Sequence, residues 1–599
     1  MDLIRFLGGK YQVVKTGSEA FLNEMKSGLK IDFMEKLQSG FKVDELRELS
    51  NLQTTLFKTF YCNEEGKEGV FRVSQDASNL FDNVGMRIIT SAGLALDRVF
   101  DYEVKAEWFG AKGDGIHDDA EAINSALFYS RGKVLLDDKV YFIGSNLYIP
   151  QYKTLSGIDW SQDDFNVGST LLLADNVSII ENEKSTICDL SIRYRDQDYK
   201  NPKFYTNPTV QLKTLCTIRN INIIGSSGFV KAIANVEKVK ISNIFGCVYQ
   251  NIIDIESCTD IPYISDIHFN PNSLRGFISE FDIVTFVVPI LCENLTAFKF
   301  GHVDDNKMNN IFVYACKRYV HTYIPEGSTE YSSGDFQITN FGVDICHEAF
   351  LFERTMSAFG ISISNGFATP LYYIEGQEQA LVKLKGNHIN GTIIKLDNVN
   401  CLGYIPTNHP KYPFWRGVNY YFHNESIGTS NHILVSNSVF NNSASGKLAR
   451  GFDTAVNCSV CYVNCVNPKN VGEGFQPIGL SQDDNTGNVR RLYKLIKPTN
   501  FKSNWINKGG TATPLTVWKD VDGNTNIVGT LDGTSAVDGN IIQLPSEYVP
   551  LNNYYSDYQI LCGTSLGVLR IYGDGNMVLI NGVVQTTINL GHIVLCRMK

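Results

Sequence analysis

"IRNINIIGSSGFVKAIANVEKVKISNIFGCVYQNIIDIESCTDIPYISDIHF", residues 218–269, carries one short pattern three times at equal intervals: RNINI around Asn220, SNIFG around Asn243 and SDIHF around Asp266. The pattern, apolar residues flanking an Asn or Asp, starts upstream with CDLSI around Asp189. It continues downstream as NNIFV (Asn310), TNFGV (Asn340), SNGFA (Asn365), INGTI (Asn390), SNSVF (Asn437) and VNCVN (Asn464). Most successive intervals fall in the twenties or just above, and the two long ones, Asp266 to Asn310 and Asn390 to Asn437, are nearly double the shortest. The steps therefore read as one coil or two, lengthened by insertions. Such a period matches one turn of a parallel β-helix, in which each strand buries its apolar side by stacking on the next at about 4.8 Å. An Asn at the same bend of every coil can hydrogen-bond the equivalent backbone above and below. An antiparallel sandwich would show more Asn-Gly and Asp-Gly hairpin signals than this region does.

Composition narrows the function classes. With 43% hydrophobic residues, 35 Phe and 29 Tyr, the 599-residue chain folds rather than staying disordered. A net charge of -10 and the lack of any Lys/Arg-rich run argue against nucleic acid as a partner. The 14 Cys are scattered without zinc-type Cys/His spacing, several within apolar segments such as CSVCYVNC at 458–465. They read as buried reduced thiols of a protein assembled in a cytoplasm, with no metal and no cofactor. The first residues, MDLIRFLGGKYQVVKTG, lack the apolar core of a signal peptide, and no stretch of about 18 apolar residues follows, so no membrane insertion is expected.

Ahead of the repeat stands KAEWFGAKGDGIHDDAEAINSALFYS, residues 105–130. Gly110, Gly113 and Gly115 make a turn, and Asp118 and Asp119 can cap a helix whose Ala120, Ile123, Ala126 and Leu127 form one apolar stripe. Such a helix can plug the open first coil and shield its strand edge. The string WFGAKGDGIHDDAEAI resembles the opening motif of the pectate-lyase-like β-helix family common among bacteriophage tailspikes and capsular polysaccharide depolymerases. GKVLLDDKVYFIGSNLYIPQYKTLSG at 132–157 is similar to that family's first strands, and AFKFGHVDDNKMNNIFVYA and FGVDICHEAFLFE resemble its middle coils. The resemblance implies an all-β, right-handed parallel β-helix, a homotrimer, a bacterial surface polysaccharide as ligand, and a place on the virion tail, assembled in the host cytoplasm and acting at the cell surface. It leaves the reaction open, because the family includes lyases, hydrolases, epimerases and inactive binders.

The ends differ in texture. GVFRVSQDASNLFDNVGMRIITSAGLALDRVFD at 69–101 resembles the short head of such spikes. Before it, Phe21, Met25, Leu29, Phe33 and Leu37 recur at helical spacing, as a trimeric stem, a docking peptide for another tail or adaptor protein, or a helix packed on the head. After about residue 505 strands alternate with turns, and LPSEYVP at 544–550 resembles a motif of tail-fibre C-terminal β-sandwiches. The expected domains are thus an attachment region at 1–104, the β-helix at 105–500 and a trimerisation or glycan-binding sandwich at 501–599. The run Asp520, Asp522, Asn524, Asn526 lacks the Gly and closing Glu of a calcium loop and reads as a hairpin turn at Asp522-Gly523.

Glycoside cleavage needs two carboxyl groups flanking the bond. Aligning AFKFG (from 297), YVHTY (319), AFLFE (349), LYYIE (371) and IIKLD (393) sets Tyr323, Glu353, Glu375 and Asp397 in one outward column, with the three acids at equal intervals. On successive rungs they would lie roughly 5 Å apart, a retaining pair; on alternate rungs, nearly 10 Å, close to an inverting one. The family-like segments add Asp304 and Asp305 in GHVDDNK, and Asp344 and Glu348 in GVDICHE, with His302 and His347 beside them. The expected catalytic set is Asp304, Asp305, Asp344, Glu353 and Glu375. The expected substrate contacts are His302, His321, Tyr323, Glu348, Tyr373 and Asp397, with the insertion IPEGSTEYSSG at 324–334 as a groove wall. The bland alternatives are a solvated acidic edge balanced by Arg354 and Lys395, and acids serving as turn formers. The leading function is endo-glycosidic hydrolysis of a capsular or O-antigen polysaccharide. The alternatives are a lyase, for which His302, His321 and Lys307 supply the groups, and a spike that binds glycan without cutting it.

Overall fold

The Asn and Asp of the repeat are corners. In the computed structural model of the protein, Asp189, Asn220, Asn243, Asp266, Asn310, Asn340, Asn365 and Asn437 all take left-handed backbone angles, with φ between 49° and 61°. Apart from Gly, Asn and Asp tolerate this region best, which is why they recur there. The structure describes the chain except residues 1–3, 8–9, 14–30, 75–80, 161–166, 329–334, 356–359, 387, 389–390, 404–414, 427–430, 443–446, 451–458, 464–478, 483–488, 494–496, 510–511, 520–523, 546–547, 550–554, 582–584 and 596–599. The chain divides into two compact units, Met1–Leu351 and Phe352–Lys599.

In the first unit the coils run through β1 (Thr217–Glu237), β2 (Lys240–Asp260), β3 (Tyr263–Phe269), β4 (Thr296–Val303), β5 (Asn306–Thr322) and β6 (Asp335–Glu353). The pairings from β1 to β5 are parallel. This is a parallel β-helix. Each coil contributes three strand segments, one before the Asn corner, one just after it and one further on. Inward residues stack in files, Ile218–Ile241–Ile264–Met308 before the corner and Ile221–Ile244–Ile267–Ile311 after it, all fully or almost fully buried. Burying each Ile is worth about 1.5–3 kcal/mol relative to leaving it in water. The corner amides form a ladder of their own. Asn243 Nδ2 donates to Asn220 Oδ1 at 2.7 Å, Asn220 Nδ2 to Asp189 Oδ1 at 2.6 Å, and Asn310 Nδ2 to Asp266 Oδ1 at 2.8 Å. The partners are therefore side chains of the neighbouring rung, not the backbone that the sequence suggested.

Two steps of the repeat are corrected. The long step from Asp266 to Asn310 is one coil, because β3 pairs directly with β5. The extra length is a helical insertion comprising Pro271–Gly276, Glu280–Asp282, Ile283–Val287 and Val288–Asn294. In the second unit Asn398 (φ 53°) turns the coil between Asn365 and Asn437, and its Nδ2 donates to Asn365 Oδ1 at 3.0 Å. Asn390 and Asn464 lie outside the described residues. Parallel strands β7 (Gly360–Ala368), β8 (Ala380–Lys385), β9 (Thr392–Gly403), β10 (Tyr420–Asn424) and β11 (Asn431–Ser436) continue the pattern there, with β7–β9–β11 and β8–β10 pairs. Towards the C-terminus eight antiparallel strands within Ile506–Leu595 enclose a core that includes Trp505, Leu515, Ile527, Leu569 and Ile588.

The helix α1 (Ala120–Tyr129) buries Ala120, Ile123, Ala126 and Leu127 completely, as their spacing predicts. Its capping differs in detail. Asp118 Oδ1 accepts from the Ala120 and Gly144 amides, whereas the Asp119 carboxylate folds back to the Lys112 and Gly113 amides of the glycine turn. Nearer the N-terminus, Phe33 and Leu37 pack into a small core with Phe41, Leu46, Phe60 and Phe71, so the described end of that helix belongs to the head. Phe21, Met25 and Leu29 lie outside the described residues. The ten cysteines whose side chains are described are all buried free thiols.

Candidate functional site

The third strand segment of each coil carries the densest chemistry on its outer face. Val230, Ile253, Phe298 and Val320 point inward in register, so the next residue of each strand points out: Lys231, Asp254, Lys299 and His321 form one row. Just beyond the following inward row, Ile255–Phe300–Thr322, come Glu256, Gly301 and Tyr323. Gly301 is bare for a reason. A Cβ there would sit 2.1 Å from Glu256 O and 2.7 Å from Pro325 Cγ, so the chain after β5 folds back onto this rung.

Asp254 is the hub. Its side chain is only 7% exposed. Tyr323 Oη donates to its Oδ1 at 3.0 Å, and its Oδ2 lies 3.6 Å from Lys299 Nζ and 3.9 Å from Lys231 Nζ. Lys231 Nζ also reaches Glu256 Oε1 at 3.2 Å, and Glu256 is 27% exposed. Lys299 Nζ stands 4.0 Å above the Tyr323 ring. Burial first, and then the negative charge of Asp254, push the Tyr323 hydroxyl well above its ordinary pKa, so it remains a donor.

At the bend ending this stretch, His302 is in register with Ser257, and its Nε2 lies 4.0 Å from Asp304 Oδ2. Asp305 occupies a left-handed position (φ 52°) and shares a hydrogen bond with Asp335, the first residue of β6. Burial, then Asp305 and then Asp304 push the Asp335 carboxyl up to about 6. Two carboxyls in contact need a proton between them, which accounts for the direction.

Of the residues expected from sequence, His302, Asp304, Asp305, His321 and Tyr323 share this region of the first unit. The acid column does not form. Glu353 closes β6 next to Lys385 of β8, at 3.7 Å, while Glu375 lies exposed in a turn. Asp397 belongs to the corner ladder: its Oδ1 accepts from Ser436 Oγ at 2.6 Å and Asn437 Nδ2 at 2.9 Å, and these bonds lower its pKa. Equal sequence spacing failed here because LYYIE is no rung; the strand that follows is Ala380–Lys385. Glu348 is buried and locked to Arg318 Nε at 2.6 Å, a closed structural pair rather than a substrate contact. Asp344 is half-buried within β6, and Tyr373 is half-buried with the Arg416 guanidinium 5.9 Å from its ring.

Sequence reasoning missed Lys231, Asp254, Glu256, Lys299 and Asp335. The signal was present: IIDIE at 252–256 and FVKAI at 229–233 align with AFKFG and YVHTY, and extending the alignment upstream instead of downstream finds the acids. In the second unit Glu378, His423 and Glu425 also gather, with His423 Nδ1 3.7 Å from Glu378 and Nε2 3.5 Å from Glu425. The carboxylates face different ring nitrogens, and Lys383 Nζ already supplies Glu425 with a cation at 3.0 Å.

No family model and no curated protein matches the chain. Among solved structures it is similar to full-length tailspike protein 2 of an Escherichia coli bacteriophage, with 12% identity, 98% of this chain and 85% of that one covered, and a TM-score of 0.44. It is also similar to an Acinetobacter phage tailspike (11% identity, 90% and 93% covered, TM-score 0.42). A third likeness is to the catalytic unit of an α-1,3-glucanase from Streptomyces thermodiastaticus (9% identity, 63% and 74% covered, TM-score 0.38).

Proposed function

We propose that the chain is a bacteriophage tailspike that hydrolyses a bacterial capsular or O-antigen polysaccharide at internal glycosidic bonds, on the outer face formed by β1, β2, β4 and β5. The observation that carries this reading is the Asp254–Glu256 pair. The two acids are two residues apart on one face of a strand, and contacts of 3.9 and 3.2 Å to the single Lys231 nitrogen hold their oxygens within about 7 Å of each other. Carboxyl oxygens that close can flank one glycosidic bond as a retaining or an inverting pair.

The two carboxyls have different surroundings and so different roles. Asp254, with a hydroxyl donor and two ammonium groups around it, takes the part of the base. Glu256, the more exposed of the two, takes the part of the acid. In the step, Glu256 gives its proton to the glycosidic oxygen as the C–O bond breaks, and a water attacks the anomeric carbon while Asp254 takes its proton. The sum is one water added across the bond. His302 and Asp304 extend the polar lining along the strand direction. On the same reading, residues 1–104 attach a homotrimer to the tail, and 501–599 trimerise it or hold glycan.

Glu256→Gln and Asp254→Asn are each expected to lower kcat by at least about a hundredfold while leaving polysaccharide binding within a few-fold. A wild type that binds polysaccharide without releasing reducing ends, with variants that lose affinity, would identify a glycan-binding spike instead.

A further inference from the structure

The sequence places Tyr323 among the substrate contacts, but its surroundings leave it little freedom to stack against a sugar ring. Lys299 covers one ring face at 4.0 Å, and the hydroxyl is committed to Asp254 at 3.0 Å. Asp254 and Lys299 occupy the same outward position on neighbouring strands, with Tyr323 two residues past His321 on the next. The triangle Tyr323–Asp254–Lys299 is therefore closed: a hydroxyl to a carboxylate, that carboxylate to an ammonium at 3.6 Å, and the ammonium back to the ring. A cation over a tyrosine face and a charge-assisted hydrogen bond each favour one geometry and hold a side chain against rotation.

We infer that Tyr323 is a positioning residue: with Lys299 above its ring, it fixes the rotamer of Asp254 so that Oδ2 faces the position of the attacking water. This inference rests on the hydrolytic reading and adds a role that reading does not need. Three further features fit it. The carboxylate is nearly buried, so water cannot replace the lost donor without reorganisation. The raised pKa of Tyr323 keeps the donor protonated at any working pH. Pro325, packed at the Gly301 rung two residues past Tyr323, anchors the backbone that carries the ring.

The test is a double-mutant cycle on the full chain, using a bacterial polysaccharide from which the wild type releases reducing ends, with melting temperatures measured for every variant. Tyr323→Phe is expected to lower kcat about ten- to a hundredfold at unchanged KM, the range of one hydrogen bond to a charged group. In an Asp254→Asn background the same change should cost nothing further, because a positioning residue acts only through the group it positions. Lys299→Met supplies a second variant should Tyr323→Phe fold poorly, and it should show the same non-additivity. Additive effects, or a rise in KM at full kcat, would overturn the inference while hydrolysis stands, the latter restoring Tyr323 as a sugar platform. A wild type that cleaves no polysaccharide it binds removes the hydrolytic reading and this inference together.

Discussion

Glu181 shows how far one buried group can be followed. It is fully buried, its Oε1 receives the Ser185 hydroxyl at 3.3 Å, and its Oε2 has no hydrogen-bond partner among the described residues. Burial raises its pKa well above the ordinary 4.5, so the folded state holds the proton more tightly than the unfolded one. Its contribution to stability is then complete below the unfolded value and is lost as pH rises through the raised folded value. Glu181→Gln should leave the melting temperature near pH 4 almost unchanged and raise it at pH 8, as thermal unfolding at the two pH values will show. Asp335 behaves in the same direction. With its carboxyl pushed up to about 6, Asp335→Asn should stabilise the protein above pH 6 and have little effect at pH 4. Neither residue was legible in the sequence. A Glu opening a polar run and an Asp after a loop give no sign of burial, and the sequence likewise carried no sign that Tyr323 is already engaged by Asp254 and Lys299.

At the scale of the elements, the repeat was readable because the corner has a stereochemical requirement. Only Gly, Asn and Asp accept φ near +55° cheaply, so the corner marks itself in every coil. Asn243→Ala loses both the left-handed tolerance and the 2.7 Å bond to Asn220, and should cost about 2–3 kcal/mol. Asn243→Gly, which keeps only the conformational part, should recover roughly half of that, and denaturant unfolding of the two variants separates the terms. Three residues on, Gly246 has φ 138°, and a Cβ would fall 1.7 Å from Ile223 O. No side chain fits, and Gly246→Ala should abolish soluble expression. The sequence left 271–294 open between a second coil and an insertion, because counting corners cannot separate a coil without an Asn from a helical excursion. The acid column failed for the same reason: insertions preserve neither register nor face, and an interval of one coil's length can end in a turn as well as on a rung.

For the whole molecule, the parallel stack turns local alternation into long rows, so that one strand's outward residue acquires neighbours from the coils before and after it: Lys231 beside Asp254, and Asp254 beside Lys299. This is how cations from neighbouring coils come to stand beside an acid pair that a single strand carries. The measurement that tests the central claim most directly is incubation of the purified protein with polysaccharide from a susceptible bacterium, following reducing ends together with the ultraviolet absorbance of unsaturated uronate. The account predicts reducing ends that rise without absorbance and vanish in Glu256→Gln. Absorbance rising in step with the ends, or undiminished cleavage by Glu256→Gln, would contradict it.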